Sequence, residues 1–268
     1  IYYKYLDKIG DRYQNNILLN FSAARLSHKI GNNDNTLLIL KMRPHETRNL
    51  NFYFLDYLEG MSYLYMLDYK NAKRKFEYFV QNFEGKNYIK SAYQKLAWIA
   101  FLNNNQRKKK AYYSKVISEG NNLIGEDRLA LNDAIKQHNN SEILLRTRLL
   151  YDGGYFDEAL LEINKIRKNK FSSLQLEEEY WYRLGRINSK LNSNHNLIID
   201  YYKKVLDIKK SKTYYAPMSA LQLGLIYEKH DNFIDAESYF KECLEFSNFD
   251  YQRAIHFKAR SGLKRISN

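Results

Sequence analysis

The stretch LGLIYEKHDNFIDAESYF, residues 223–240, decides the fold, because GMSYLYMLDYKNAKRKF, residues 60–76, repeats its pattern. In both, a tyrosine follows a glycine at three residues, an alanine stands twelve residues after the glycine, and a phenylalanine comes four residues later. A glycine and an alanine without bulk allow two antiparallel helices to approach closely, and the aromatic rings fill the wider gaps beside them. The two stretches therefore predict helical hairpins that recur along the chain.

Partial copies of the pattern define five predicted repeats. Segment 178–211 has Trp181 and Gly185 on its first helix, but Ile198 and Tyr202 come one residue late, which predicts a one-residue insertion in the turn 192–196. Segments 90–123 and 140–173 keep the pattern less completely. The period is close to 34 residues, and it gives repeats at 53–86, 90–123, 140–173, 178–211 and 217–250.

Three regions interrupt or flank these repeats. Residues 1–52 predict a degenerate repeat, with helices near 1–9 and 17–24, followed by a connector over 32–51 that contains Pro44 and has room for one short helix. Residues 121–140 predict an inserted helix, because apolar residues recur there at helical spacing after an acidic start. Residues 251–268 predict a basic amphipathic helix, which would cap the last apolar surface of the array.

Composition supports an all-α chain and offers no catalytic motif. The 268 residues include only two prolines and eleven glycines, the residues that most often interrupt helices, and this composition favours an all-helical chain. The single cysteine, Cys243, excludes an internal disulfide and fits a small buried position. The sequence contains no phosphate-binding glycine loop, nucleophile elbow or metal-ligand spacing. It therefore predicts a protein that is not an enzyme and that has no cofactor or metal.

The formal net charge of +13 leaves two interpretations open. Basic clusters such as Arg107–Lys110 fall on second helices or in turns, so we expect most of them to be solvated. Nucleic-acid binding would require basic side chains and exposed aromatics on one continuous stripe, and is disfavoured. No apolar run approaches the roughly 18 residues that span a bilayer. Because the sequence starts at Ile1 rather than Met, we expect it to be a piece of a longer chain.

From about residue 53 to 250 the chain resembles tetratricopeptide repeat (TPR) proteins. The resemblance implies a right-handed α-solenoid of helical hairpins with a concave groove that binds protein segments. Groove contacts in the family come from set positions of each first helix, which correspond here to Tyr57, Met61, Lys95, Trp98, Arg148, Tyr182, Arg183 and Arg186. The same positions also include Leu58, Gln94, Leu144, Leu145, Leu221, Gln222 and Leu225. This set lacks the lysine and asparagine arrangement of the subfamily that clamps a carboxy-terminus.

These expectations favour a non-enzymatic scaffold that holds a segment of a protein partner, such as an acidic one, in its groove. The alternative is a basic module that binds nucleic acid or acts in regulation. A further similarity to bacterial envelope-associated TPR proteins, over residues 149–159 and 216–228, implies a component of a larger assembly in the periplasm or at a membrane. A cytoplasmic location is the alternative.

Overall fold

The computed structural model describes residues 2–44, 51–136, 141–166, 171–191, 194–208 and 213–267. Within these residues the chain contains fifteen α-helices, one 3-10 helix and no strand. The all-α prediction is therefore confirmed. The helices are α1 Tyr2–Ile9, α2 Ile17–Lys29, α3 Asn33–Lys41, α4 Phe54–Tyr65, α5 Tyr69–Asn82, α6 Ile89–Leu102, α7 Gln106–Ser118, α8 Gly125–Lys136, α9 Glu142–Asp152, α10 Phe156–Ile163, α11 Leu174–Lys190, α12 His195–Asp207, α13 Tyr215–Lys229, α14 Phe233–Glu245 and α15 Gln252–Ile266. The 3-10 helix, Gly10–Gln14, follows α1.

One connector design recurs between successive helices. Three residues join α2 to α3, α4 to α5, α6 to α7, α9 to α10 and α13 to α14. The middle residue of each connector has a positive φ: Gly31, Leu67, Asn104, Gly154 and Asp231. In four connectors the third residue caps the following helix by accepting a hydrogen bond from a backbone N–H three residues on: Asn32, Asp68, Asn105 and Asn232. Polar capping residues of this kind satisfy N–H groups that lack a partner inside the helix.

Glycines on first helices face aromatic rings on second helices. A side chain placed on Gly60 would meet the ring of Phe76 at 3.0 Å, and one on Gly224 would meet Phe240 at 2.5 Å. Gly224 therefore lies against the aromatic ring of its partner helix, and the close approach of the two helices depends on the missing side chain.

The hairpin of α11 and α12 carries one extra residue. Its connector, 191–194, has four residues where the other connectors have three. A side chain on Gly185 would meet Tyr202 at 2.6 Å, so the glycine and aromatic contact is kept although the two residues are seventeen positions apart instead of sixteen. Positions 192 and 193 of the predicted insertion lie outside the described residues.

The chain divides into two compact units, Ile1–Tyr155 and Phe156–Asn268. In unit 1, the hairpins α2–α3, α4–α5 and α6–α7 pack in sequence, α8 packs on α6 and α7, and α9 packs on α4. The connectors at Gly31 and Gly154 approach so closely that a side chain on Gly31 would meet the Gly154 Cα at 2.9 Å. Asn33 Nδ2 donates a hydrogen bond of 2.8 Å to the Gly153 carbonyl. Unit 1 therefore brings residues 120 positions apart into contact.

The N-terminal hairpin differs from the predicted one. The predicted hairpin consists of helices near 1–9 and 17–24, with 32–51 as a connector that has room for one short helix. In the structure α2 instead packs most extensively on α3, which lies inside that connector. Ala24 and Thr36 stand twelve residues apart, the same spacing as Gly60 and Ala72, and both are fully buried. Thr36 fills the position of the small residue and Thr36 Oγ1 donates to the Asn32 carbonyl at 2.8 Å. Residues 45–50 of the predicted connector lie outside the described residues.

In unit 2, hairpins α11–α12 and α13–α14 pack in sequence, and α15 packs on both α13 and α14. The Phe240 ring lies between Gly224 on α13 and Gly262 on α15, each of which would place a side chain 2.5 Å from the ring. Cys243 is fully buried in the same core, and burial raises its thiol pKa to about 12. The C-terminal helix therefore covers one side of the last hairpin with its apolar residues.

Candidate partner-binding surface

The first-helix face of α6, predicted as part of the groove, lies beneath α8. Every residue of α6 from Ile89 to Leu102 is buried, including Lys90, Gln94 and Lys95. Ala130 and Ala134 of α8 are buried in the same core. The inserted helix thus covers the predicted groove positions of α6 with small side chains that permit close packing.

Asp127 of α8 caps the start of α6. The residue before α6, Tyr88, has a left-handed conformation with φ 64° and gives the helix no side-chain cap. Instead, Asp127 Oδ2 accepts from the Tyr88 N–H at 2.7 Å and Oδ1 accepts from the Ser91 N–H at 2.9 Å. A carboxylate is favourable at this end of a helix, where the N–H groups and the helix dipole are positive. Burial nevertheless raises the pKa of Asp127 above its ordinary value.

A second carboxylate of α8, that of Asp133, accepts hydrogen bonds from the polar side chains beneath that helix. Asp133 Oδ2 accepts hydrogen bonds from Gln94 Nε2 at 2.8 Å, Trp98 Nε1 at 3.1 Å and Tyr113 Oη at 3.1 Å. Hydrogen bonds to a charged acceptor are stronger than neutral ones. Asp133 therefore satisfies buried donors from both α6 and α7 at one point.

Lys95, Trp98 and Arg148 form one cluster in unit 1. Lys95 Nζ lies 4.0 Å from the centroid of the Trp98 ring, and the guanidinium carbon of Arg148 lies 4.9 Å from it. Lys95 Nζ also donates to Gln94 Oε1 at 2.7 Å. Burial, followed by the positive charge of Arg148, lowers the pKa of Lys95 to about 7. The three predicted groove residues thus do meet, with Arg148 partly exposed and the other two buried.

The other predicted groove residues of unit 1 lie in its core. Tyr57 is buried, its Oη lies 2.8 Å from Ser91 Oγ, and burial raises its pKa well above the ordinary value. Leu58 packs with α2 and α3, and Leu145 packs in the same core as Tyr57. Met61 is half-buried against that core. Leu144 is buried as well.

In unit 2 a similar arrangement of cation and ring lies on α11. Tyr182 is buried among aromatic rings, and burial raises its pKa well above the ordinary value. The guanidinium carbon of Arg186 lies 5.7 Å from the centroid of the Tyr182 ring. Arg183 is buried and donates from Nε to Glu179 Oε1 at 2.7 Å. On α13, Leu221 is buried, whereas Gln222 and Leu225 are half-buried.

The sequence reasoning missed Asp127 and Asp133. Both stand in the predicted inserted helix, six residues apart, among the apolar residues that identify it. The signal in the sequence was that the inserted helix carries carboxylates, whereas the predicted first helix of the repeat before it carries lysine, glutamine and tryptophan, which are hydrogen-bond donors. That signal becomes specific only when the two helices are placed together.

The described residues contain neither a candidate metal site nor a helix suited to cross a bilayer. No group of three or more histidine, cysteine, aspartate or glutamate side chains could hold a metal ion in that part of the chain. Across the same ranges, none of the helices has the length and apolar character needed to cross a bilayer.

Comparison with solved structures shows what the chain is similar to. The chain is similar to the crystal structure of the C-terminal part of a TPR repeat-containing protein from Cytophaga hutchinsonii, with a TM-score of 0.34 and 13% sequence identity. The match covers 91% of this chain and 99% of that one. No protein-family model and no curated protein sequence matches the chain.

Proposed function

We propose that the chain is a non-enzymatic TPR-type scaffold that binds a segment of a protein partner. Its repeats are the five segments 53–86, 90–123, 140–173, 178–211 and 217–250, and α2–α3 is a further hairpin before them. Hairpins joined by the same capped connectors, with glycines against aromatic rings, support this proposal. Proteins built in this way present first-helix faces to other chains.

The observation that carries the proposal is the placement of an arginine over a buried aromatic ring in each unit. Arg148 lies over Trp98, and Arg186 lies over Tyr182. A guanidinium stacked on a ring is held in one orientation, and its planar N–H groups suit a carboxylate or a backbone carbonyl. The partner's contacting groups are therefore acidic side chains or exposed carbonyls. Trp98 and Tyr182 act by holding the arginines, because they are themselves buried.

The test compares capture of partners by three versions of the chain. Tagged parent, Arg148→Ala/Arg186→Ala and an α7 control, Arg107→Ala/Lys108→Ala, are incubated with extract of the source cell, and bound proteins are quantified by mass spectrometry. A protein captured by the parent and by the control should fall about tenfold or more with the double variant, since arginines are common interface hot spots. The melting temperature of all versions is measured in parallel. Equal capture by the double variant would place the partner elsewhere on the chain.

The nucleic-acid alternative differs in its salt dependence. Binding to phosphates weakens steeply as salt rises, because counterions are released. Capture that persists from about 50 to about 200 mM salt, a range over which several phosphate contacts together lose orders of magnitude in affinity, would favour a protein partner. The envelope location that the resemblance implies is a separate hypothesis, which fractionation of the source cell would test.

A further inference from the structure

Helices α5 and α7 of unit 1 hold a large share of the positive charge of the chain. Together they carry nine lysines and arginines against one acidic residue, Glu77. The formal net charge of the whole chain is +13. By contrast, α14, the second helix of the hairpin α13–α14, carries four acidic residues and one lysine. Positive charge is therefore concentrated on two of the second helices rather than spread evenly over them.

The two helices lie side by side and run in the same direction. Tyr112 Oη of α7 donates a hydrogen bond of 2.8 Å to Glu77 Oε1 of α5. Just beyond the two C-terminal ends, the Asn121 N–H donates to the Lys86 carbonyl at 3.2 Å. Both contacts join residues 35 positions apart, so the helices are parallel and in register. Their basic N-terminal halves therefore lie at the same end of unit 1.

Four of the nine cations are engaged within unit 1. Lys75 pairs with two carboxylates of α4. Lys109 Nζ lies 4.5 Å from the centroid of a phenylalanine ring of α6. Lys73 and Lys115 each pair with a glutamate four residues further along. The other five are exposed and form no ion pair within the part of the chain that the structure describes. These five residues, here called the basic surface, are Lys70, Arg74, Arg107, Lys108 and Lys110.

The basic surface does not stabilise the helices that carry it. Its five residues lie in the first two turns of α5 and α7. A cation is more favourable at the C-terminal end of a helix, because the helix dipole is positive at the N-terminal end. Like charges on neighbouring positions of one helix also repel each other. An anionic partner would remove this repulsion, which the fold alone leaves in place.

The chemistry of the surface decides which anionic partner it fits. The exposed large apolar residues of the two helices, Tyr78 and Ile117, lie in their C-terminal halves, away from the five cations. Protein interfaces contain buried aromatic or aliphatic anchors, and helices that lie on membranes need a wide apolar face. Single-stranded nucleic acid stacks its bases on aromatic side chains. Contacts to the phosphates of a duplex, in contrast, require cations alone.

We propose that the basic surface binds the phosphate backbone of double-stranded nucleic acid without regard to base sequence. The two arginines donate to phosphate oxygens through their planar guanidinium groups, and the three lysines act as point charges. This activity goes beyond the proposed function, because the basic surface lies on second helices, whereas Arg148 and Arg186 lie on first helices. The phosphate chemistry is common to DNA and RNA duplexes, so both are tested.

The probe is a short fluorescein-labelled DNA duplex of mixed sequence. Fluorescence anisotropy measures its binding to the full chain at a series of salt concentrations, which gives both the affinity and its salt dependence. The test variant removes four of the five cations of the basic surface and is Arg74→Gln/Arg107→Gln/Lys108→Gln/Lys110→Gln.

Helix α15 provides a matched control in unit 2. It carries five cations and no acidic residue. One of them, Arg265, pairs with Glu228 of α13 through two hydrogen bonds of 2.6 and 2.7 Å. The other four are exposed and form no ion pair among the described residues. The control variant removes two arginines and two lysines, as the test variant does, and is Arg253→Gln/Lys258→Gln/Arg260→Gln/Lys264→Gln.

We expect the parent to bind the duplex with a Kd of about 10⁻⁴ to 10⁻⁶ M near physiological salt, as is usual for sequence-independent binding. Each phosphate contact contributes about 0.9 to the slope of log K against log salt, so the test variant should lose about 3 to 4 of that slope and about tenfold or more in affinity. The α15 control should stay within about threefold of the parent, because salt screens distant charges. Absence of binding by the parent, or equal losses in the two variants, would overturn the proposal.

Two smaller variants keep the test valid if the fourfold change lowers stability. Lys70→Gln/Arg74→Gln alters α5 alone, and Arg107→Gln/Lys108→Gln alters α7 alone. Each should reduce the salt slope by about 2 and leave the melting temperature unchanged, because these side chains are exposed. A loss confined to one helix would contradict a surface that spans both.

Further probes identify the duplex and test the other partners. An RNA duplex of the same sequence is measured in parallel, and tighter binding of either duplex supports the proposal and names its source. Tighter binding of oligothymidine or of polyglutamate than of both duplexes, lost in the test variant, would overturn it in favour of single strands or of an acidic protein. Binding to phosphatidylserine vesicles without binding to a duplex would overturn it in favour of a lipid surface.

The two proposals can fail separately. Arg148→Ala/Arg186→Ala should bind the duplex as tightly as the parent does, because neither residue belongs to the basic surface. Arg107→Ala/Lys108→Ala should lose duplex affinity and still capture the protein partner of the proposed function.

Discussion

Helices α6 and α15 begin alike and end in different environments. Each follows a left-handed tyrosine, Tyr88 with φ 64° or Tyr251 with φ 66°, and each packs on the hairpin before it. Yet α6 is buried along its whole length, whereas α15 leaves its cations and Phe257 exposed. The difference lies in the elements that follow, because α7 and α8 cover α6. Whether a basic residue on a first helix is solvated or buried therefore depends on whether another helix packs over it.

The covering helices also decide how the cations of α6 are satisfied. Lys90 Nζ donates to the carbonyls of Val116 and Ile117 at 2.7 and 3.1 Å, near the end of α7, where the helix dipole favours a positive charge. Asp127 and Asp133 of α8 supply the acceptors for the helix start and for Trp98. No such acceptors reach four of the five cations of α15 within the described part of the chain.

Removal of Trp98 should produce the largest effect. Trp98 is buried between Lys95, Arg148 and Asp133. Trp98→Ala would therefore leave a cavity, remove the ring beneath the two cations and remove one hydrogen-bond donor of Asp133. We expect a loss of about 3 to 5 kcal/mol in the free energy of unfolding, measured by urea denaturation. An unchanged denaturation midpoint would mean that α8 does not cover α6 in solution, and that Trp98 is open to a ligand.

The spacing of small and aromatic residues predicted most of the hairpins but not the first one. Gly60, Gly185 and Gly224 identify their hairpins because the close contact with an aromatic ring requires a residue without a side chain. In α2–α3 the same spacing is occupied by Ala24 and Thr36. A threonine is not expected at the small position, and only its buried hydrogen bond to the Asn32 carbonyl explains how it fits there.

The candidate surface was less predictable, because a position on a first helix does not specify what covers it. Lys95, Trp98 and Arg148, which come from two different first helices, lie together in unit 1. The burial of Lys95 and Trp98 depends on α8, whose carboxylates lie more than thirty residues along the chain from the donors that they bind in α6 and just before it. Pairings at that distance in sequence are set by tertiary packing, on which the local periodicity carries no information.

Lys95 should give a pH dependence that the exposed lysines of α15 lack. Burial lowers its pKa in the folded chain to about 7, below the ordinary value of 10.5. Between these pH values the unfolded chain binds more protons, so stability rises as the pH rises. Relative to Lys95→Met, the parent should gain about 1 to 3 kcal/mol in unfolding free energy from pH 7 to pH 9.

Urea denaturation at several pH values measures this difference. Lys264→Met removes one cation from the exposed face of α15 and is the matched control. The parent and this control should change in parallel across the same range. If the unfolding free energy of Lys95→Met also changed with pH in parallel with that of the parent, Lys95 would be hydrated in the folded chain. Lysines on α6 and α15 would then not differ in pKa.

The smallest effect on stability is expected at Phe257, and its size tests whether this side of α15 is exposed in solution. Leu223, its counterpart 34 residues earlier, is fully buried, so Leu223→Ala should cost about 2 to 5 kcal/mol of stability. Phe257 is 70% exposed, so Phe257→Ala should change stability by no more than about 0.5 kcal/mol. Both variants are measured by urea denaturation at low protein concentration, where association is minimised. A loss above about 2 kcal/mol for Phe257→Ala, as expected for a buried apolar side chain, would show that the ring is covered in the free chain. The two positions would then be equivalent in burial, and the contrast between the buried α6 and the exposed side of α15 would be lost.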